Sequence, residues 1–267
     1  MKARRVAAVM LRQFYLLRGS PSRALPLFAW IAIDIVLWGF ITRYLNEVAR
    51  PGFDFVPAVL GAVLLWDFLS RVMQGVTMAF FEDVWSRNFL GVFASPLSVG
   101  DYVLGLVLTG VVSSLIGLAV MLAVASIAFG LSFVSYGLAI VPCLLALFLF
   151  GIALGVAGSA IALRLGPAAE WLIWPIPAVL APFACVYYPL ASLPAWLRPL
   201  SLALPPTYVF EALRAIAAGG PPNAGSVVLA LALAALYVAG AGVLFARVHR
   251  ICVRTGLIAR YSAESVS

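Results

Sequence analysis

The stretch 186-VYYPLASLPAWLRPL-200 carries three prolines, two tyrosines and a tryptophan between two long apolar runs. Proline lacks a backbone donor and keeps the residue before it out of the helical region, so one helix cannot run through this stretch. The wider piece, 181-APFACVYYPLASLPAWLRPLSLALPPTYVFEALRAIAAGGPPNAG-225, is too apolar for an ordinary exposed loop and too rich in proline for a single span. The rest of the chain decides what such a broken, apolar segment can be.

Of the 267 residues, 64% are hydrophobic and 10% charged. A soluble domain has about 25% charged residues, so the fold expected is all-α and polytopic in a membrane. No long polar block is left for a soluble catalytic domain. The formal net charge is +7, yet the arginines gather at the chain ends instead of forming a stripe on a soluble fold, so no nucleic-acid partner is expected. Cys143, Cys185 and Cys252 are too scattered for a disulfide framework or a metal site. No uninterrupted apolar core precedes position 24, so no cleavable signal peptide is expected.

A membrane-spanning helix needs roughly 17–25 mainly apolar residues. Six segments qualify: 25–43, 56–81, 103–130, 137–163, 171–189 and 225–247. Lys2 and five arginines precede the first span, and Arg247, Arg250, Arg254 and Arg260 follow the last. Arg87 and Arg164 fall in the second and fourth connections, while the other side holds Arg43, Arg50, Arg198 and Arg214. The excess of basic residues puts both termini in the cytoplasm.

Before the first span, Val6, Val9, Met10, Phe14 and Leu17 recur at helical spacing among Arg4, Arg5, Arg12 and Arg18. That pattern predicts a helix lying in the membrane interface, its apolar face in lipid and its arginines near anionic headgroups. In the second connection, Trp85, Phe89, Leu90 and Phe93 make an apolar stripe on a predicted short helix. Glu82, Asp83, Arg87 and Asn88 surround it, and Ser95-Pro96 ends it. Aromatic residues with arginine are the composition of a protein-interface anchor, so this helix either contacts a partner or lies on the membrane surface.

In the fifth connection, Pro189 and Pro194 bound a tight turn and Trp196 to Leu204 reads as a short helix broken by Pro205-Pro206. Thr207 is the expected cap of a second helix, Tyr208 to Ala218, ended by Gly219-Gly220. Non-helical backbone survives at membrane depth only when buried in protein or lining a cavity. The segment therefore reads as a re-entrant helical hairpin on the exterior side, before the last span.

Within the spans, Asp34 lies midway along the first, and Asp67 midway along the second with Arg71 one turn on. A charge at that depth is expected to face protein or water, and Asp67 and Arg71 can pair on one helix face. Asp34 falls at a similar depth and can join them. The cluster reads as a clamp between the first two spans, or as a polar lining for substrate headgroups. Gly151, Gly155, Gly158 and Ser159 give the small-residue spacing of close helix packing.

These pieces together resemble the membrane subunit (permease) of a type 2 ABC exporter, over essentially the whole chain. The resemblance rests on Tyr188-Pro189, Leu193-Pro194, Trp196, Pro206-x-Tyr208 and Glu211-x-x-Arg214 after the fifth span, and on Ser95-Pro96-Leu97 before the third. Where the family often has a more acidic stretch before the S-P-L element, this chain has Glu82-Asp83 and then Trp85, Arg87 and Asn88. The resemblance implies two permease subunits, here a homodimer, working with two separate ABC ATPase subunits that bind the ATP and Mg. It implies a coupling helix carrying Trp85, Arg87, Asn88, Phe89 and Phe93, docked in a groove of the ATPase. It further implies an exterior gate built from Tyr187, Tyr188, Pro189, Leu193, Pro194, Trp196, Pro206, Tyr208, Glu211 and Arg214. The resulting layout is one permease domain over 1–267. It divides into an interfacial helix 1–22, spans one to four and most of five over 25–180, the end of span five with the hairpin over 181–224, a last span 225–247 and a cytoplasmic tail 248–267.

The sequence carries no G-x-x-x-x-G-K-[ST] loop, since its single lysine is Lys2. The chain is therefore expected not to be an enzyme and to bear no cofactor of its own. A membrane-embedded enzyme is disfavoured further because the sole histidine, His249, lies past the last span, and Arg71 would hold Asp34 and Asp67 ionised. A secondary transporter or channel is the alternative, though the two halves show no repeat. The expected location is the plasma (inner) membrane, among its lipids. The sparse charges lean towards an amphipathic or lipid-like cargo within a range that includes drugs and glycans.

Overall fold

The structure is a computed structural model that describes residues 3–18, 21–48, 59–85, 97–130 and 137–257. Helices α1 (Ala3–Arg18), α2 (Pro21–Val48), α3 (Gly61–Trp85), α4 (Val99–Phe129) and α5 (Ile140–Leu165) come first. Short pieces follow: α6 (Glu170–Ile173), α7 (Ile176–Phe183), α8 (Arg198–Leu202) and α9 (Pro205–Ala217). The 31-residue α10 (Ala224–Arg254) comes last. Among the described residues there is no strand.

Length and composition make three of these helices fit to cross a membrane: α4, α5 with the turn that leads into it from Gly137, and α10. At 28 and 25 residues, α2 and α3 have the length to do so. The local chemistry sets the ends. Ser98 caps α4 by accepting from the Asp101 amide, and Gly130, at φ +67°, turns the chain out of that helix. Asn223 caps α10 by accepting from the amides of Gly225 and Ser226.

The fifth predicted span, 171–189, is not one continuous helix. Trp174-Pro175 separates α6 from α7, and helix stops at Phe183, so the pair together covers only about 21 Å. Beyond it Cys185 sits at φ +53°, a backbone region that branched and bulky residues avoid. The second helix of the proline-rich piece begins earlier than expected, at Pro205. Leu204 occupies the cap position, and Thr207 lies inside the helix with its hydroxyl donated to the Ser201 carbonyl at 2.7 Å. Pro205 and Pro206 start this helix because the first turn needs no proline amide.

The core is organised around α3. Leu65, Phe68, Leu69, Val72, Met73, Val76, Phe80 and Phe81 are all buried, with α4 on one side and α5 on the other. α10 packs along α5, and α9 against both. Glycines let α3 and α5 approach closely: a methyl group on Gly155 would stand 2.8 Å from the Met73 carbonyl oxygen, and one on Gly151 2.9 Å from that of Leu69. A second, smaller core of Ile35, Leu60, Leu64, Met121 and Ala125 joins α2 to the far end of α4.

Part of the apolar stripe of the first helix departs from the expectation made for it. Val6 and Val9 are buried against protein instead of lipid, with Val9 filling the space above Gly105 of α4. Among the described side chains of α1, Leu11, Phe14 and Tyr15 are the exposed large apolar ones.

Candidate functional site

Three groups of side chains stand out. The first lies at the C-terminal end of α3 and the N-terminal end of α4, which flank the predicted coupling segment. Trp85 is the last residue of α3 instead of part of a separate short helix. Arg87, Asn88, Phe89 and Phe93, with Ser95 and Pro96, lie outside the described residues. At the roots of this segment Asp83 is 1% exposed, pairs with Arg12 of α1 and accepts the Tyr102 hydroxyl at 2.7 Å. Asp101 is equally buried and faces Arg5 at 3.7 Å. Gln13 donates its amide to the Ala79 carbonyl at 3.1 Å. Arg5 and Arg12 therefore bind protein carboxylates, where the sequence pointed to lipid headgroups. Two carboxylates at the ends of one connection, and two arginines seven residues apart on α1, were the signal available.

The second group is the proline-rich piece. Arg214 donates to the Cys185 carbonyl at 2.9 Å and to Glu211 at 2.9 Å, and Glu211 accepts the Leu190 amide at 2.7 Å. This pair ties α9 to the unwound chain after α7. Tyr188 donates its hydroxyl back to the Pro182 carbonyl, and Tyr208 to that of Leu202. Arg198 donates to the carbonyls of Leu193 and Ala191, closing the turn that holds Pro189 and Pro194. Pro206 is buried at the start of α9, whereas Trp196 projects, 77% exposed. From α10, Tyr237 reaches across to donate to the Ala203 carbonyl at 3.2 Å.

The third group is the polar cluster. Arg71 binds the Asp67 carboxylate through two nitrogens, at 2.8 and 3.0 Å, within α3. Among the described residues Asp34 makes no hydrogen bond or ion pair, although Asp67 and Arg71 lie within its electrostatic reach. The two Arg71 bonds to Asp67 run along α3, and Asp34 is not joined to the pair by a direct bond. Tyr187 of the proline-rich piece also lies within reach of Asp34 and Asp67. Its ring stacks on Trp38 of α2, with centroids 5.5 Å apart and planes 9° from parallel. The predicted cluster and the predicted gate are therefore neighbours, joined by Trp38, which sequence reasoning missed. Among the described residues no cluster of three or more His, Cys, Asp or Glu is arranged to hold a metal.

Among the described residues the chain is all-helical, with three helices long and apolar enough to cross a membrane. The family model described as ABC-2 type transporter matches residues 6–218, and the chain belongs to that family. It is the membrane component of an ABC transporter, in a family whose members work with an ABC ATPase. No curated protein matches the chain.

Proposed function

We propose that the chain is the permease of an ATP-driven exporter, supplying path and gate while a separate ATPase supplies the energy. The match to the ABC-2 family over residues 6–218 carries this reading. In it, six spans cross the plasma membrane with both termini in the cytoplasm, and two copies pair around a path between them. The segment containing Arg87, Asn88, Phe89 and Phe93, beginning at Trp85, docks on the ATPase. ATP binding closes two motor subunits, which favours one of two arrangements of the spans over the other.

The piece from Tyr187 to Arg214 acts as the exit gate, re-entering the membrane from the exterior side. The Tyr237–Ala203 hydrogen bond supports re-entry, because Tyr237 stands thirteen residues along α10, about 20 Å of helix from Ala224. Tyr187 points the same way, since Asp34 is near the middle of α2. A shallow apolar groove along α2, lined by Ile33, Val36, Leu37, Phe40, Ile41 and Tyr44, is available to lipid or to the second copy. The cargo is an amphipathic, lipid-like, drug or glycan molecule, and Asp34, Asp67 and Arg71 border its path.

The test is a pull-down in mild detergent from the native host. Wild type is expected to retain a P-loop ATPase that Phe89→Asp loses. If none is retained and the purified chain alone moves solute in vesicles, the secondary-transporter or channel reading replaces this one.

A further inference from the structure

Helix α1 touches both ends of the connection between α3 and α4. On the α3 side Gln13 holds the Ala79 carbonyl and Arg12 pairs with Asp83. On the α4 side Arg5 faces Asp101, and Val9 fits over Gly105, where an added Cβ would meet it at 2.7 Å. Tyr102 of α4 closes the triangle by donating to Asp83 at 2.7 Å, its own ring packed edge-on against Phe80 of α3. Asp83 is therefore served by three helices at once: it belongs to α3, its cation comes from α1 and its hydroxyl donor from α4.

The chemistry of that junction is directional. A buried carboxylate is tolerated when a cation and further hydrogen bonds satisfy it, and removing one partner leaves a desolvated charge. Apolar residues of similar volume would pack three helices without that requirement. A charged, hydrogen-bonded centre fixes one register, and a displacement of any one member breaks bonds to the other two. Of the residues on this face of α1, Val6, Val9 and Gln13 are buried, so the contact is continuous along the helix.

We propose that α1 is a strut that makes the C-terminal end of α3 and the N-terminal end of α4 move as one body. Arg12 is a positioning residue that acts through Asp83, and Arg5 with Asp101 secures the other root. The role in transport rests on the reading that this connection contacts the ATPase. The mechanical tie is a property of the single chain and is tested on it alone.

The full-length protein is reconstituted in nanodiscs of phosphatidylethanolamine and phosphatidylglycerol, with Cys143, Cys185 and Cys252 replaced by alanine. A nitroxide is placed at Gly100→Cys, an exposed position in the first turn of α4, and in a separate sample at Val243→Cys on α10. Arg12→Gln is expected to shift the position-100 spectrum to its mobile component and leave the position-243 spectrum unchanged. Arg12→Lys should keep the wild-type spectrum. If Arg12→Gln does not fold, Asp83→Asn, which keeps an acceptor for Tyr102, takes its place. A position-100 spectrum indifferent to these changes overturns the strut, as does equal loosening at both positions. The expected spectra together with a pull-down that yields no ATPase would keep the strut and remove the motor.

Discussion

Tyr237 of α10 donates its hydroxyl to the Ala203 carbonyl at 3.2 Å, linking the middle of the last long helix to the turn between α8 and α9. In the re-entrant gate proposed above, that point lies below the membrane surface. The bond predicts how position 203 behaves in a bilayer. In a background without native cysteines, Ala203→Cys should resist a membrane-impermeant maleimide in intact cells, while Asn223→Cys, before α10 begins, should label readily. Equal labelling at both sites would place the α8–α9 turn at the surface and remove the re-entrant gate.

The contact between α3 and α5 gives a sharper steric forecast. An alanine at Gly155 would put its Cβ 2.8 Å from the Met73 carbonyl oxygen and 2.7 Å from the Val76 side chain. One obstacle is backbone and the other a Cβ fixed to backbone, so the helices themselves must separate. Gly155→Ala should destabilise the protein by about 1–3 kcal/mol, the usual penalty of overpacking. Gly240 of α10 has nothing within 4 Å of the same added atom. Gly240→Ala should leave the melting temperature unchanged or raise it, through alanine's better helix propensity. Thermal melts of both variants in one detergent make the comparison.

The polar cluster separates into a bonded pair and a bystander. Arg71 neutralises Asp67, and the pair's side chains are 12% and 22% exposed. Arg71→Gln should destabilise by about 2 kcal/mol, less than the 3–5 of a fully buried pair. Adding Asp67→Asn should restore part of that, giving a coupling of about 0.5–3 kcal/mol in a double-mutant cycle. Asp34 has no such partner and stands near Asp67, a like charge. Asp34→Asn should therefore melt at the wild-type temperature or above it. A clear drop would show that Asp34 holds α2 in place after all.

How far these arrangements were legible depends on the range of the interaction. Asp67 with Arg71 and Glu211 with Arg214 are one turn apart, and their pairing follows from helix geometry alone. The breaks at Pro175 and Pro189 are equally local, although the apolar run over 171–189 concealed the first. Arg5 and Arg12 are another matter. Basic residues on an amphipathic helix beside a membrane look like ligands for headgroups, and nothing near them in sequence contradicts that. Their partners Asp101 and Asp83 lie beyond two long helices, so the pairing appears only once α3 and α4 stand side by side. Trp38 and Tyr187 are hidden for the same reason: each is an unremarkable aromatic until the fold brings them to 5.5 Å.

The native cysteines supply a last test, at the strained turn. Cys185 is buried at φ +53°, and Arg214 donates to its carbonyl at 2.9 Å and to that of Val186 at 3.4 Å. Such a backbone costs about 1–3 kcal/mol and persists only where the surroundings hold it. A hydrogen bond from a charged donor contributes about 1.5–3 kcal/mol, so the guanidinium offsets the strain. Arg214→Ala should let this turn open while the spans stay packed. Alkylation of Cys185 by N-ethylmaleimide should then speed up by about 10- to 100-fold, the kinetic image of that lost bond. Cys143 and Cys252, buried on α5 and α10, should keep their wild-type rates. Arg214→Lys should protect only partly, because an ammonium cannot hold Glu211 and the Cys185 carbonyl with the geometry of a planar fork. Acceleration at all three thiols would instead mean that Arg214 supports the whole bundle, and no change at Cys185 would mean that packing alone holds the turn.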